Sequence, residues 1–141
     1  MPEVEAQVAL AVTGLNAFYG PAQALFDVSL QVRKGEFVVL QGLNGAGKST
    51  LLKALMALEV RSEGVIDYQT DAGRIELAGW DTYRRAQAGL GYVAEDRRLF
   101  TSLTVRENLR VAAGRDADST EARVLDLFPA LKPCGSGRPA R

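Results

Sequence analysis

Residues 42 to 50, GLNGAGKST, combine glycines, a lysine and two hydroxyls at the spacing G-x-x-x-x-G-K-[ST]. That set can grip phosphate. Gly42, Gly45 and Gly47 carry no Cβ, so the backbone can turn through positive φ and come close to an anion. Successive N–H groups then point inward as a nest, and a helix beginning at the end of the loop adds its positive end. Lys48 supplies a full charge for the outer phosphates. Ser49 supplies a hydroxyl suited to Mg²⁺, which keeps several waters and takes few protein ligands. Thr50 is placed for a further phosphate contact. The plainer reading is a glycine turn between strand and helix, and it leaves the Lys-Ser pair at this offset unexplained.

The flanking elements stand in the order such a loop needs. Phe37, Val38, Val39 and Leu40 form an unbroken apolar run, the pattern of a strand buried on both faces. After the loop, LLKALMAL has Lys53 as its only charge and reads as a helix packed inside a domain.

The chain has 141 residues, 47% hydrophobic and 24% charged, a globular composition of one-domain length. Lys plus Arg and Asp plus Glu are 17 each, so no net charge steers it to nucleic acid, and none is expected as a partner. Cys134 is the single cysteine, which rules out an internal disulfide and suits a reducing cytosol. The sequence has no run of membrane-spanning length, no signal pattern in MPEVEAQ and no histidine.

Taken in order, residues 1 to 6 read as a frayed start and VALAVTGL as a strand. NAFYGPAQ is turn-rich. In ALFDVSLQVR, Phe26, Val28, Leu30 and Val32 alternate with polar residues, predicting a strand with one buried face. Arg61 to Gly64 read as a turn, VIDY and RIELAG as short strands, and LGYVA as another strand. Asp81 is placed to cap a helix over TYRRAQA, with Gly89 beyond its end. Thr104 with Glu107 makes a capping box for VRENLRVAA, closed by Gly114. Asp118 with Glu121 repeats the device, and Pro129 ends or kinks the helix that follows. PCGSGRPAR lacks an apolar period and reads as a disordered tail over 133–141.

Over residues 8 to 132 the sequence resembles the nucleotide-binding subunit of ABC transporters, most of all the branched-chain amino-acid uptake branch. The likeness rests on LNAFYGPAQALFDVSLQVRKGEFVVLQGLNGAGKSTLL, GLGYVAEDRRLFTSLTVRENL and VLDLFPALK. It implies an α/β fold: a partial P-loop nucleotide-binding domain with an antiparallel β subdomain over 1–100, including the loop with Glu95, and the start of a helical subdomain over 101–132. By the same resemblance Tyr19 matches the aromatic that stacks on adenine; its alternative is a strand-end aromatic in the core. Gly42, Asn44, Gly45, Ala46, Gly47, Lys48, Ser49 and Thr50 match the contacts to ATP, with Lys48 also catalytic. Ser49 and Glu95 match the Mg²⁺ positions. Glu95 stands where most of the superfamily has glutamine, and would serve catalysis; a solvated loop carboxylate is its alternative. Arg97, Arg98 and Phe100 fall in the segment that faces a membrane subunit; a solvated basic loop is the alternative.

The resemblance further implies a transport ATPase that couples ATP hydrolysis to import of a solute, with branched-chain amino acids the expected cargo. Its partners would be transmembrane permease subunits and a second ATP-binding subunit, at the cytoplasmic face of the inner membrane. This sequence departs from the pattern after residue 132. It contains no LSGGQ-type signature, no apolar strand ending in Asp-Glu (Walker B) and no switch histidine. A truncated chain, through a reading-frame change or a fragmentary gene model, is the expected cause. Two other functions stay open: a non-catalytic nucleotide-binding remnant, and an ABC ATPase of soluble assemblies. A kinase or GTPase is disfavoured by the absence of N-K-x-D and by the antiparallel start.

Overall fold

A computed structural model describes residues 7–96, 98–113 and 116–134, in two compact units that divide between Tyr92 and Val93. In the first unit, β1 (Val8–Tyr19) and β2 (Ala22–Arg33) form a long antiparallel hairpin. Helix α1 (Lys48–Leu55) follows, then β3 (Arg61–Thr70), β4 (Gly73–Glu76) and the short helix α2 (Thr82–Gln87). The four strands make one antiparallel sheet in the order β2-β1-β3-β4. Helix α1 lays Leu51 and Ala54 into a core shared with Val12, Leu15, Ala17, Leu25, Ile66 and Leu77. Leucine and alanine three residues apart lie on one helix face, and that is the face turned to the sheet.

Both hairpin strands are longer than their sequence pattern predicts. NAFYGPAQ is mostly strand, and the turn itself is only Gly20–Pro21. The buried face of β2 also differs from the simple alternation. Val28, Leu30 and Val32 are half-buried as expected, but Phe26 is 68% exposed and Leu25 takes the core position. Asp27 explains the change of phase. It sits at φ +48, its N–H donates to Asn16 Oδ1 at 3.0 Å, and the β1–β2 register shifts across the paired segment between Val12 and Ala17. An extra residue in a ladder moves the following side chains to the other face.

Arg61–Gly64 is not a turn but the start of β3. Gly64 is there because two strands come close: a Cβ on it would lie 2.7 Å from the Gly14 carbonyl oxygen. Two predicted strands do not form. Residues 37–40 and 90–94 join no ladder among the described residues. Phe37, Val38, Val39 and Leu40 are 90, 50, 60 and 42% exposed. A parallel-type strand needs hydrogen-bonded neighbours and cover on both faces, and the four-stranded sheet supplies neither to this run.

In the second unit, α3 (Val105–Ala113) begins at the predicted capping box. The Thr104 N–H donates to Glu107 Oε2 at 2.7 Å, and the Glu107 N–H donates to Thr104 Oγ1 at 3.2 Å. Helix α4 (Ala117–Leu127) starts earlier than the Asp118–Glu121 device would have it. Glu121 instead pairs with Arg106 at 2.6 Å, joining α4 to α3. The helix stops before Pro129, where a 3-10 turn runs over Pro129–Cys134. The expected tail lies outside the described residues from 135 on, as do residues 1–6, Arg97 and Gly114.

Candidate functional site

The glycine loop follows residues 36–41, which join no strand among the described residues, and feeds directly into α1. The Ala46 N–H donates to the Leu43 carbonyl at 3.1 Å, which tightens the turn. Gly47 then heads the helix in the left-handed region, at φ +91 and ψ 9, and its carbonyl accepts the Leu51 N–H at 2.9 Å. Glycine is required here twice over. The φ disfavours any side chain. A Cβ would also stand 2.6 Å from Leu25 Cδ2, where β2 passes behind the loop.

Lys48 is the first residue of α1, and its ammonium folds back over the loop. It donates to the carbonyls of Gly42 and Leu43, both at 2.7 Å. An ammonium has three donors, so these two bonds fix its position against the cradle. Ser49 lies exposed in the same helical turn. Thr50 is buried at 8% exposure, and its Oγ1 is 3.3 Å from the Tyr19 hydroxyl. Tyr19 ends β1 at 41% exposure. Hairpin and loop therefore bring Tyr19, Lys48, Ser49 and Thr50 to one place, with the ring of Tyr19 beside the first turn of α1.

Glu95 belongs to the second unit, in an exposed turn. Its neighbour Asp96 pairs with Arg98 at 2.8 Å, and that hydrogen bond holds the Asp96 carboxyl below its ordinary range. Phe100 is 55% exposed. Arg97 lies outside the described residues.

One residue near the site has no signature in the sequence. Arg85 is 3% exposed and its guanidinium spans four carbonyls. Nε donates to Trp80 at 3.0 Å, Nη1 to Ala54 and Leu55 at 3.0 and 2.8 Å, and Nη2 to Leu77 at 2.8 Å. Burial pushes its pKa below the ordinary arginine value. Read as sequence, Arg85 is one of two adjacent arginines in a polar helix, and nothing in TYRRAQ marks which one turns inward. The expected cap is present beside it: Asp81 Oδ1 accepts the Arg84 N–H at 2.8 Å.

The family model for ABC transporters matches residues 25–133. The chain belongs to the ABC transporter family. It is 41% identical over 127 residues to the high-affinity branched-chain amino acid transport ATP-binding protein BraG of Pseudomonas aeruginosa, covering 87% of this chain and 53% of BraG. It is 34% identical over 127 residues to the probable branched-chain amino acid transport ATP-binding protein LivF of Archaeoglobus fulgidus, covering 87% and 52%. The arginine transport ATP-binding protein ArtP of Haemophilus influenzae is 38% identical over 104 residues, covering 72% and 43%. The chain thus spans about half the length of the curated relatives it matches. The match takes in β2, the glycine loop and α1, in an α/β setting with the four-stranded antiparallel sheet.

Proposed function

We propose that this chain is the nucleotide-gripping part of an ATP-binding subunit of an ABC importer. The observation that carries the reading is the loop itself: a left-handed Gly47 heading α1, with the Lys48 ammonium anchored on the loop carbonyls. Such a loop at a helix N-terminus suits a polyphosphate. In this reading the amides of residues 42–50 and Lys48 hold the phosphates of ATP, and Tyr19 stacks on adenine. The Ser49 hydroxyl, exposed in the first turn of α1, fits a Mg²⁺ ion that takes few protein ligands. Mg²⁺, when bound, neutralises charge on the outer phosphates. Glu95 would join the metal side, as its resemblance implies.

Residues 1–100 then form the N-terminal part of the ATP-binding domain, and 101–132 begin its helical subdomain. The names of BraG and LivF favour branched-chain amino acids as the cargo, while ArtP favours arginine. Permease subunits and a second ATP-binding subunit are the proposed partners, at the cytoplasmic face of the inner membrane. Among the described residues no helix is long and apolar enough to cross a membrane.

The test is a titration of the purified chain with a fluorescent ATP analogue and Mg²⁺. Saturable binding that Lys48→Ala abolishes is the expected result. Wild-type-like binding by Lys48→Ala would overturn the proposal.

A further inference from the structure

We propose that Arg85 is a positioning residue for the phosphate cradle, fixing where α1 lies along its own axis. The inference rests on the nucleotide-binding reading above. Helix α1 has only eight residues, about 12 Å at 1.5 Å per residue. Lys48, Ser49 and Thr50 are its first three residues; Ala54 is its seventh and Leu55 its last. A short hydrogen-bonded rod moves as a unit, so what holds one end places the other.

The two ends are held differently. Thr50, Leu51 and Ala54 bury one side of the helix, which resists sideways movement. An apolar flank resists sliding less, because its contacts are not directional. Directional bonds act at the C-terminus. The last carbonyls of a helix have no partner within it. Arg85 Nη1 takes two of them, those of Ala54 and Leu55. Its other arms hold Trp80 and Leu77. The Leu77 N–H in turn donates to the Ile66 carbonyl in β3 at 2.8 Å. The guanidinium therefore ties the end of α1 to the sheet through one side chain. Thr82 reinforces this from the same helix, its Oγ1 donating to the Ala57 carbonyl at 3.0 Å. A cation at a helix C-terminus is also favourable to the helix dipole.

The test compares the full chain with Arg85→Lys, Lys48→Ala and a control, Val12→Ala. Lysine keeps the charge but replaces a rigid five-donor fork by a point charge with three donors. Val12 is 2% exposed in β1, so Val12→Ala weakens the core without removing any of the four bonds. Each variant is titrated with the fluorescent ATP analogue and Mg²⁺ at a temperature where circular dichroism shows it folded. A displacement near 1 Å is enough to misplace a preorganised group, so Arg85→Lys should bind about tenfold more weakly than Val12→Ala. Equal affinity of Arg85→Lys and Val12→Ala, with Lys48→Ala inactive, would overturn the positioning role and leave the nucleotide reading intact. Absence of binding by the unaltered chain would overturn both.

Hydrogen exchange on the unaltered chain reads the same link should Arg85→Lys fail to fold. Bound nucleotide should slow exchange not only at the loop but at the Ala57 and Leu90 amides, which close on Ala54 and Arg85. Protection confined to residues 42–52 would overturn the proposal.

Discussion

The double demand on Gly47 gives a prediction that needs no nucleotide. Gly47→Ala meets two costs. The first is conformational: a side chain at φ +91 costs about 1–2 kcal/mol. The second is steric. The new Cβ would lie 2.6 Å from Leu25 Cδ2, and Leu25 is 6% exposed within the core, so it has little room to give way. Overpacking of this kind costs about 1–3 kcal/mol. The sum is about 2–5 kcal/mol. Gly45→Ala separates the two contributions. Gly45 sits at φ +84, but nothing lies within 4 Å of its Cβ position, so only the conformational cost applies, about 1–2 kcal/mol. Urea unfolding of the two variants, followed by circular dichroism, measures the difference. Gly47→Ala should be the less stable by about 1–3 kcal/mol. Agreement of the two within about 0.5 kcal/mol would show that β2 does not pass behind the loop as described.

Two further outcomes follow from the same geometry. Tyr19→Ala should weaken ATP binding by about 1–3 kcal/mol of stacking, whereas Tyr19→Phe, which keeps the ring, should be tolerated; equal loss in a binding titration would rule out stacking. The exposed run Phe37–Leu40 should make the chain self-associate, and Val39→Lys should reduce this in sedimentation velocity; unchanged association would place the sticky surface elsewhere.

The loop was legible because its chemistry is local. Three glycines, a lysine and a hydroxyl at fixed offsets specify a turn whatever surrounds it, and Gly45 and Gly47 do adopt positive φ. Caps were legible for the same reason, as Asp81 and the Thr104–Glu107 pair show. What failed depended on distant neighbours. The apolar period of FVVL reports only that the run wants cover, and no described strand provides it. Gly64 looked like a turn residue because the sequence cannot show that Gly14 passes beside it. Phe26 looked buried because alternation assumes no extra residue, whereas Asp27 interrupts it. Arg85 was invisible, since its four partners are backbone carbonyls that any sequence supplies. Glu95 remains a reading from resemblance, in a unit separate from the loop.

The central claim is that residues 42–50 form a cradle for a nucleoside triphosphate through Lys48 and the loop amides. Thermal unfolding of the chain with and without Mg-ATP tests it most directly, run in parallel on Lys48→Ala. Ligand at 100 times its Kd should stabilise the unaltered chain by about 2.7 kcal/mol and raise its Tm, and should leave Lys48→Ala unmoved. An unaltered chain whose Tm ignores Mg-ATP, or a Lys48→Ala chain that shifts as far, would contradict it.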